Sequence, residues 1–106
     1  MEYRIMTEAD IPLVTPLYMA YYNEKEEGEW TAQTVYKRIH QVLSREDPYC
    51  LVLGSGQTII AFAIGYFEQY DDGFAYDLVE IVVAADYQNQ GIGTQFMEEL
   101  ERRVKE

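Results

Sequence analysis

The sequence is poor in cysteine, histidine and basic residues, and it has no long hydrophobic run. One cysteine, Cys50, among 106 residues excludes an internal disulfide, and with a single histidine, His40, the chain has too few ligands for a structural zinc site. No apolar run approaches the roughly 20 residues that a membrane-spanning helix needs. The N-terminal residues also lack the basic and apolar regions of a secretory signal. These absences predict a cytoplasmic protein without metal or membrane contact.

The charge is strongly negative. Lys and Arg number 8 against 19 Asp and Glu, which gives a formal net charge of −11. Nucleic-acid binding needs clustered basic side chains that neutralise phosphates, so this class of partner is excluded. The excess of acids has two interpretations: it attracts a cationic ligand such as an amine, or it serves solubility alone.

Apolar periodicity predicts one domain over residues 1–106, with the element order β-α-α-β-β-β-α. The first helix is expected to end near Tyr22 and to be kinked or broken at Pro16, with Thr15 capping a second start. Residues 58–70 read as a long strand that is apolar on both faces, so it should be central, with helices on both sides of the sheet.

The most informative stretch runs from Asp77 to Val104. It begins with an apolar run, interrupted only by Glu80, which predicts a buried strand ending at Val83. A polar turn with two glycines follows, and then an amphipathic helix whose apolar residues recur every four positions from Ile92. The first N–H groups of a helix have no partner inside it, and the helix dipole places partial positive charge there. The order of strand, glycine turn and helix therefore predicts an anion site.

This stretch resembles the GCN5-related N-acetyltransferases. Gln88, Gly91 and Gly93 match the family motif Q/R-x-x-G-x-G/A, and the Asp86-Tyr87 pair before them is also similar to that family. The resemblance covers essentially the whole chain. It implies an α/β fold of the α+β type, with a mixed, mainly antiparallel sheet and helices on both faces. It also implies direct transfer of an acetyl group from acetyl-coenzyme A to a primary amine of a small molecule or peptide.

The resemblance assigns the cofactor site to the glycine turn and the strand before it. The main chain of Val82 and Val83 should pair with the pantetheine arm, as an added strand pairs with a sheet edge. One departure is Gln90, where the family often has Lys or Arg; phosphate binding is then left to amides and the helix dipole, and we expect weaker binding. The N–H groups that should hold the pyrophosphate are those of Gln88, Asn89, Gln90, Gly91, Ile92, Gly93 and Thr94.

The catalytic and acceptor residues have alternative interpretations. In the family a carboxylate near the place of Glu80 acts, directly or through water, as the base that deprotonates the amine. Alternatively, Glu80 lies on a half-exposed face or pairs with a helix. Tyr22 and Trp30 fall in the region that walls the acceptor pocket in the family, where acids of residues 24–27 attract a cationic amine; alternatively, these aromatics pack in the core. His40 and Cys50 are expected to have no catalytic role.

Compared with the family, the sequence predicts a truncated domain. A further strand, a helix and a closing hairpin follow the third helix in the family, and they often supply a tyrosine as general acid. The strand ending at Val83 would then be an open sheet edge, which natural proteins rarely leave bare. We expect another chain to cover it, as a homodimer about a two-fold axis or as a different partner. The alternative function is a non-catalytic domain that binds coenzyme A weakly, or only a partner protein.

Overall fold

The strands of the sheet lie in chain order, β1-β2-β3-β4, and every pairing described between them is antiparallel. This is a computed structural model, and it describes residues 1–105, so Glu106 of the predicted domain lies outside it. The predicted element order and fold class are confirmed. The elements are β1 (Glu2–Ile5), α1 (Ile11–Met19), a π-helical segment (Ala20–Lys25), α2 (Ala32–Leu43), β2 (Leu51–Ser55), β3 (Thr58–Tyr70), β4 (Gly73–Val83) and α3 (Ile92–Val104).

The long strand β3 is central, as its apolar sequence predicts. Phe62 and Ile64 pack in the core on the face covered by α1 and α2, while Ala63 packs with Phe96 and Leu100 of α3 on the other face. All of these side chains are buried. Helices therefore cover both faces of the sheet, which explains why the strand carries almost no polar side chain in its first half.

The first helix differs from the prediction at Pro16. Instead of breaking there, α1 runs through Pro16, and the helical backbone continues as the π-helical segment to Lys25. Thr15 does not cap a second start, because its hydroxyl donates to the Ile11 carbonyl oxygen at 2.7 Å from inside the helix. Val14 and Tyr18, on either side of the proline, are fully buried. Packing of this apolar face against the sheet outweighs the one backbone hydrogen bond that proline cannot make.

A β-bulge in β4 sets the direction of Glu80. Ile64 of β3 pairs with Glu80 and the next residue, Gly65, pairs with Leu78, so Val79 is an extra residue without a partner. Val79 packs against the core on the α1 and α2 face, and Glu80 contacts Tyr18 of α1 on the same face. The bulge thus places two consecutive side chains on one face of the sheet, as bulges commonly do.

Within residues 1–105, β4 pairs only with β3, so its other edge is open. Ala84 donates its N–H to the Ile60 oxygen across the β3 side. Because residues alternate in direction along an antiparallel pair, the main chain of Val82 also faces β3, and that of Val83 faces the open edge.

No helix within residues 1–105 is long and apolar enough to cross a membrane.

Candidate active site

The turn before α3 has the backbone shape of an anion cradle. A single 3-10 turn, Ala85–Tyr87, follows β4. After it, Asn89 and Gly91 adopt positive φ angles of 64° and 80°. Gly91 is the residue before α3, and glycine takes such an angle without steric cost. Among the described residues, no side chain accepts a hydrogen bond from the first N–H groups of α3. These groups are therefore left to water or to an anionic ligand.

The two glutamines of the turn act as braces. The Gln88 side chain donates to the Val83 carbonyl oxygen at 2.9 Å, and the Gln90 side chain donates to the Asp86 carbonyl oxygen at 2.9 Å. The first contact ties the start of the turn to the end of β4, and the second closes the turn on itself. Side-chain amides thus hold the loop in shape, while the N–H groups of residues 92–94 remain at the helix start.

A cavity of about 310 Å³ lies between the first helix and the end of β4. Leu17, Ala20 and Tyr21 line one wall, and Val83 and Gln88 line the other, so the cavity borders the start of the glycine turn. Most of the wall is apolar, and its polar groups lie at one end, where Glu24 and Lys25 of the π-helical segment face Gln88 of the turn. This combination suits a ligand with an apolar arm and an anionic end.

Lys25, at the end of the π-helical segment, lines the same cavity. Its Nζ donates to the Gln88 side-chain oxygen at 2.5 Å. Sequence reasoning did not single out this lysine. Its neighbours in sequence are mostly acids, and the contact spans 63 residues, which no local pattern predicts.

Glu80 is enclosed by two phenols and a guanidinium. The Tyr22 hydroxyl donates to one carboxylate oxygen at 2.8 Å, the Tyr18 hydroxyl donates to the other, and Arg38 Nε lies 3.7 Å from that second oxygen. The Glu80 side chain is only 11% exposed. The buried carboxylate in the strand is therefore explained by its partners on α1, the π-helical segment and α2. Both of its oxygens accept from a phenol, while Arg38 contributes charge although its buried Nε makes no hydrogen bond among the described residues.

This environment makes the phenols of Tyr18 and Tyr22 weaker acids. Burial, and then the hydrogen bond to Glu80, raise the pKa of Tyr18 and of Tyr22 above the ordinary value of a phenol. Both hydroxyls therefore stay neutral and donating to a higher pH than an ordinary phenol, because burial and the neighbouring Glu80 carboxylate both disfavour a phenolate.

The structure brings the predicted residues together as two groups. Val83 and Gln88 meet at the cavity, whereas Tyr22 and Glu80 meet on the sheet face beneath α1. Trp30 joins the second group through Tyr18, whose ring centroid lies 5.1 Å from that of the indole. Asn23 holds Trp30 by two hydrogen bonds of 2.8 Å between its side chain and the Trp30 backbone.

The two other reactive side chains lie away from this region. Cys50 is buried in the core, and burial raises the pKa of its thiol to about 11. His40 is partly exposed on α2, stacked on Tyr36. Among the described residues, neither lines this cavity nor forms a hydrogen bond or ion pair with Glu80.

Comparison with known proteins links this arrangement to one family. A family model described as "Acetyltransferase (GNAT) family" matches residues 12–106. A comparison with curated proteins finds no match.

Solved structures with the same fold are similar over nearly the whole chain. A possible acetyltransferase from Clostridium difficile 630 superposes with a TM-score of 0.83 at 17% identity, over 99% of this chain and 71% of that one. A ribosomal-protein-alanine N-acetyltransferase from Brucella melitensis biovar Abortus 2308 gives 0.75 at 16%, over 99% and 72%. An aminoglycoside 6'-N-acetyltransferase from Acinetobacter haemolyticus gives 0.71 at 18%, also over 99% and 72%. At these identities the likeness establishes the fold.

Proposed function

This chain belongs to the acetyltransferase (GNAT) family, and from that premise we propose that it transfers an acetyl group from acetyl-coenzyme A to a primary amine of a small molecule or peptide. The observation that carries the proposal is the uncapped start of α3 behind Gly91, beside an apolar cavity at the end of β4. Bound acetyl-coenzyme A would supply an acetyl group activated as a thioester. The chain supplies the binding surfaces and the groups that handle the proton.

The residues at the turn fit the cofactor in two ways. The backbone from Gln88 to Thr94, with its N–H groups at the helix start, suits a pyrophosphate. The main chain of Val83 faces the open edge of β4, where an extended pantetheine arm can pair with it. Val82 was expected to share this pairing, but its main-chain groups face β3. Its side chain is buried, so we assign Val82 a packing role next to the site and no pairing with pantetheine.

Glu80 is the proposed base. An ammonium ion must lose a proton before its nitrogen can attack a thioester, and Glu80 is a carboxylate on the sheet face beneath α1. Both of its oxygens already accept hydrogen bonds. To receive a proton, Glu80 can use a lone pair that no donor occupies, or it can exchange one of these donors for the amine or for a water molecule. Tyr22 is the donor placed for this, because it is partly exposed, while Tyr18 is fully buried.

The acceptor is proposed to approach over Tyr22 and Trp30. Both side chains are partly buried against the core, and the exposed acids Glu24, Glu26 and Glu27 lie on the segment between them. Carboxylates there would attract a cationic amine over long range.

The cytoplasmic location inferred from the sequence stays a prediction.

One observation favours the second candidate, a non-catalytic domain that binds coenzyme A weakly or serves as a protein-interaction module. Two tyrosines and an arginine surround the Glu80 carboxylate, an arrangement that also suits a purely structural tie between strand and helices. The two candidate functions differ in one measurable way: the acetyltransferase consumes acetyl-coenzyme A in the presence of an amine, and the non-catalytic domain does not.

Release of free coenzyme A thiol in the presence of a panel of amines tests the proposal. We expect amine-dependent thiol release in the wild type and its loss in Gly91→Glu, which fills the cradle with a carboxylate. Gly56→Glu is the matched control, since Gly56 also has a positive φ and open surroundings but lies in the β2–β3 turn. Absence of amine-dependent release, with acetyl-coenzyme A bound, would instead support the non-catalytic domain.

A further inference from the structure

The glycine turn carries no positive side chain of its own. Residues 84–94 contain Asp86 but neither Lys nor Arg, and the basic residues of α3 lie in its last turn, at Arg102 and Arg103. A coenzyme A diphosphate bound there would meet backbone N–H groups and the helix dipole alone. In a chain with a net charge of −11, such a site lacks a counter-charge.

Lys25 reaches this turn from the other side of the cavity. Its Nζ contacts the Gln88 side-chain oxygen at 2.5 Å, and the amide nitrogen of the same side chain donates to Val83 at 2.9 Å. Lys25 is therefore positioned by a two-step chain of hydrogen bonds that ends on the β4 backbone. The Tyr21 ring, whose centroid lies 5.8 Å from Nζ, borders the ammonium on the helix side.

The π-helical segment accounts for this position. Its wider turn extends the helical backbone from Met19 to Lys25 and brings the last residue opposite the start of the glycine turn. Among the cavity-lining residues of the described chain, Lys25 is the single cation and Glu24 the single anion. An ammonium has three donor hydrogens, and one contact to Gln88 leaves two for phosphate oxygens.

We infer that Lys25 supplies the positive charge for the diphosphate of coenzyme A, in place of the basic residue that position 90 lacks. This inference rests on the proposed cofactor. It replaces the expectation that amides and the helix dipole act alone. It also assigns the π-helical segment a role in binding, since residues 20–25 carry the cation to a loop more than 60 positions away in sequence.

Isothermal titration of the folded variants with three ligands tests this assignment. The ligands are coenzyme A, dephospho-coenzyme A, which keeps the diphosphate but not the ribose phosphate, and pantetheine, which has no phosphate. Lys25→Met should weaken binding of the first two by about tenfold to a hundredfold, the usual size of a charge-assisted hydrogen bond. Pantetheine binding should be unchanged. Lys25→Arg should retain most of the affinity, and Lys37→Met, an exposed lysine on α2, is the control.

The outcomes separate this inference from the proposed function. Equal affinity of wild type and Lys25→Met for dephospho-coenzyme A, with binding still lost in Gly91→Glu, would overturn the role of Lys25 and leave the cofactor site standing. An equal loss for pantetheine would mean that Lys25 shapes the cavity and does not contact phosphate. A wild-type chain that binds none of the three ligands would overturn the proposed function, and the role of Lys25 with it.

Discussion

The Tyr22 hydroxyl donates a hydrogen bond to the Glu80 carboxylate across 2.8 Å, and so joins the helical segment after α1 to the bulged region of β4. Tyr18 donates to the other oxygen of the same carboxylate. One side chain thus accepts from two residues on successive turns of the helix. The contact makes Glu80 a structural tie as well as the proposed base, and the two roles respond differently to substitution.

Glu80→Gln separates the roles, because the amide keeps the shape of the side chain and one acceptor oxygen but cannot take a proton. If Glu80 is the base, we expect turnover with amines to fall by about a hundredfold or more, the usual range for loss of a general base. Steady-state rates from pH 6 to 9 provide the measurement. Unchanged turnover across this range would remove Glu80 from the mechanism and leave it a structural role.

Tyr18→Phe should lower the free energy of unfolding by about 1–3 kcal/mol, because it leaves one oxygen of a buried carboxylate without its phenol donor. Urea denaturation measures this change. Tyr70→Phe is a suitable control, since Tyr70 is exposed at the β3–β4 turn.

The phenols of Tyr18 and Tyr22 should make the free energy of unfolding depend on pH at alkaline values. Burial, and then the bond to Glu80, raise the pKa of Tyr18 and Tyr22 in the folded chain. A raised pKa stabilises the fold at all pH values below the unfolded value, about 10. This stabilisation is lost as the pH rises above 10 towards the folded pKa. Wild type should therefore lose more stability than the Tyr18→Phe, Tyr22→Phe double variant when denaturation is repeated above pH 10; parallel losses would contradict the account.

Asp10 should make the free energy of unfolding depend on pH at acid values. Its carboxylate is buried and accepts two bonds of 2.7 Å from Arg4, which, with the Thr7 N–H, hold its pKa below the ordinary value. The resulting stability is present above pH 4 and is lost as the pH falls through the lowered folded pKa. Arg4→Met should cost about 1 kcal/mol at pH 7, because solvent screens a pair whose arginine side chain is 44% exposed. Urea denaturation measures this cost. No difference from an exposed control such as Lys37→Met would show that the pair contributes nothing.

The open edge of β4 predicts self-association. Phe74 and Leu78 are exposed in the part of β4 that precedes Val83 and the proposed pantetheine contact. Pairing with a second copy would satisfy the edge and cover both side chains. Sedimentation over a hundredfold range of concentration should show a dimer that Leu78→Lys weakens. A monomer at every concentration would contradict a homodimer and leave the edge to a different partner.

The fold was predictable from the sequence where patterns are local and repetitive. The apolar run from Ile59 to Ile64 identified the central strand, and the four-residue spacing after Ile92 identified α3. Pro16 misled the prediction, because burial of its neighbours against the sheet outweighs its local effect. The partners of Glu80 and the position of Lys25 were beyond sequence reasoning. Both arise from the packing of the first helix against β4, a contact between segments about 60 residues apart.

The turn before α3 is proposed to bind the cofactor. Isothermal titration of acetyl-coenzyme A into the wild type, Gly91→Glu and Gly56→Glu tests it most directly. We predict saturable binding in the wild type and in Gly56→Glu, and none in Gly91→Glu. Equal binding by Gly91→Glu, or no heat in any of the three folded proteins, would contradict the claim.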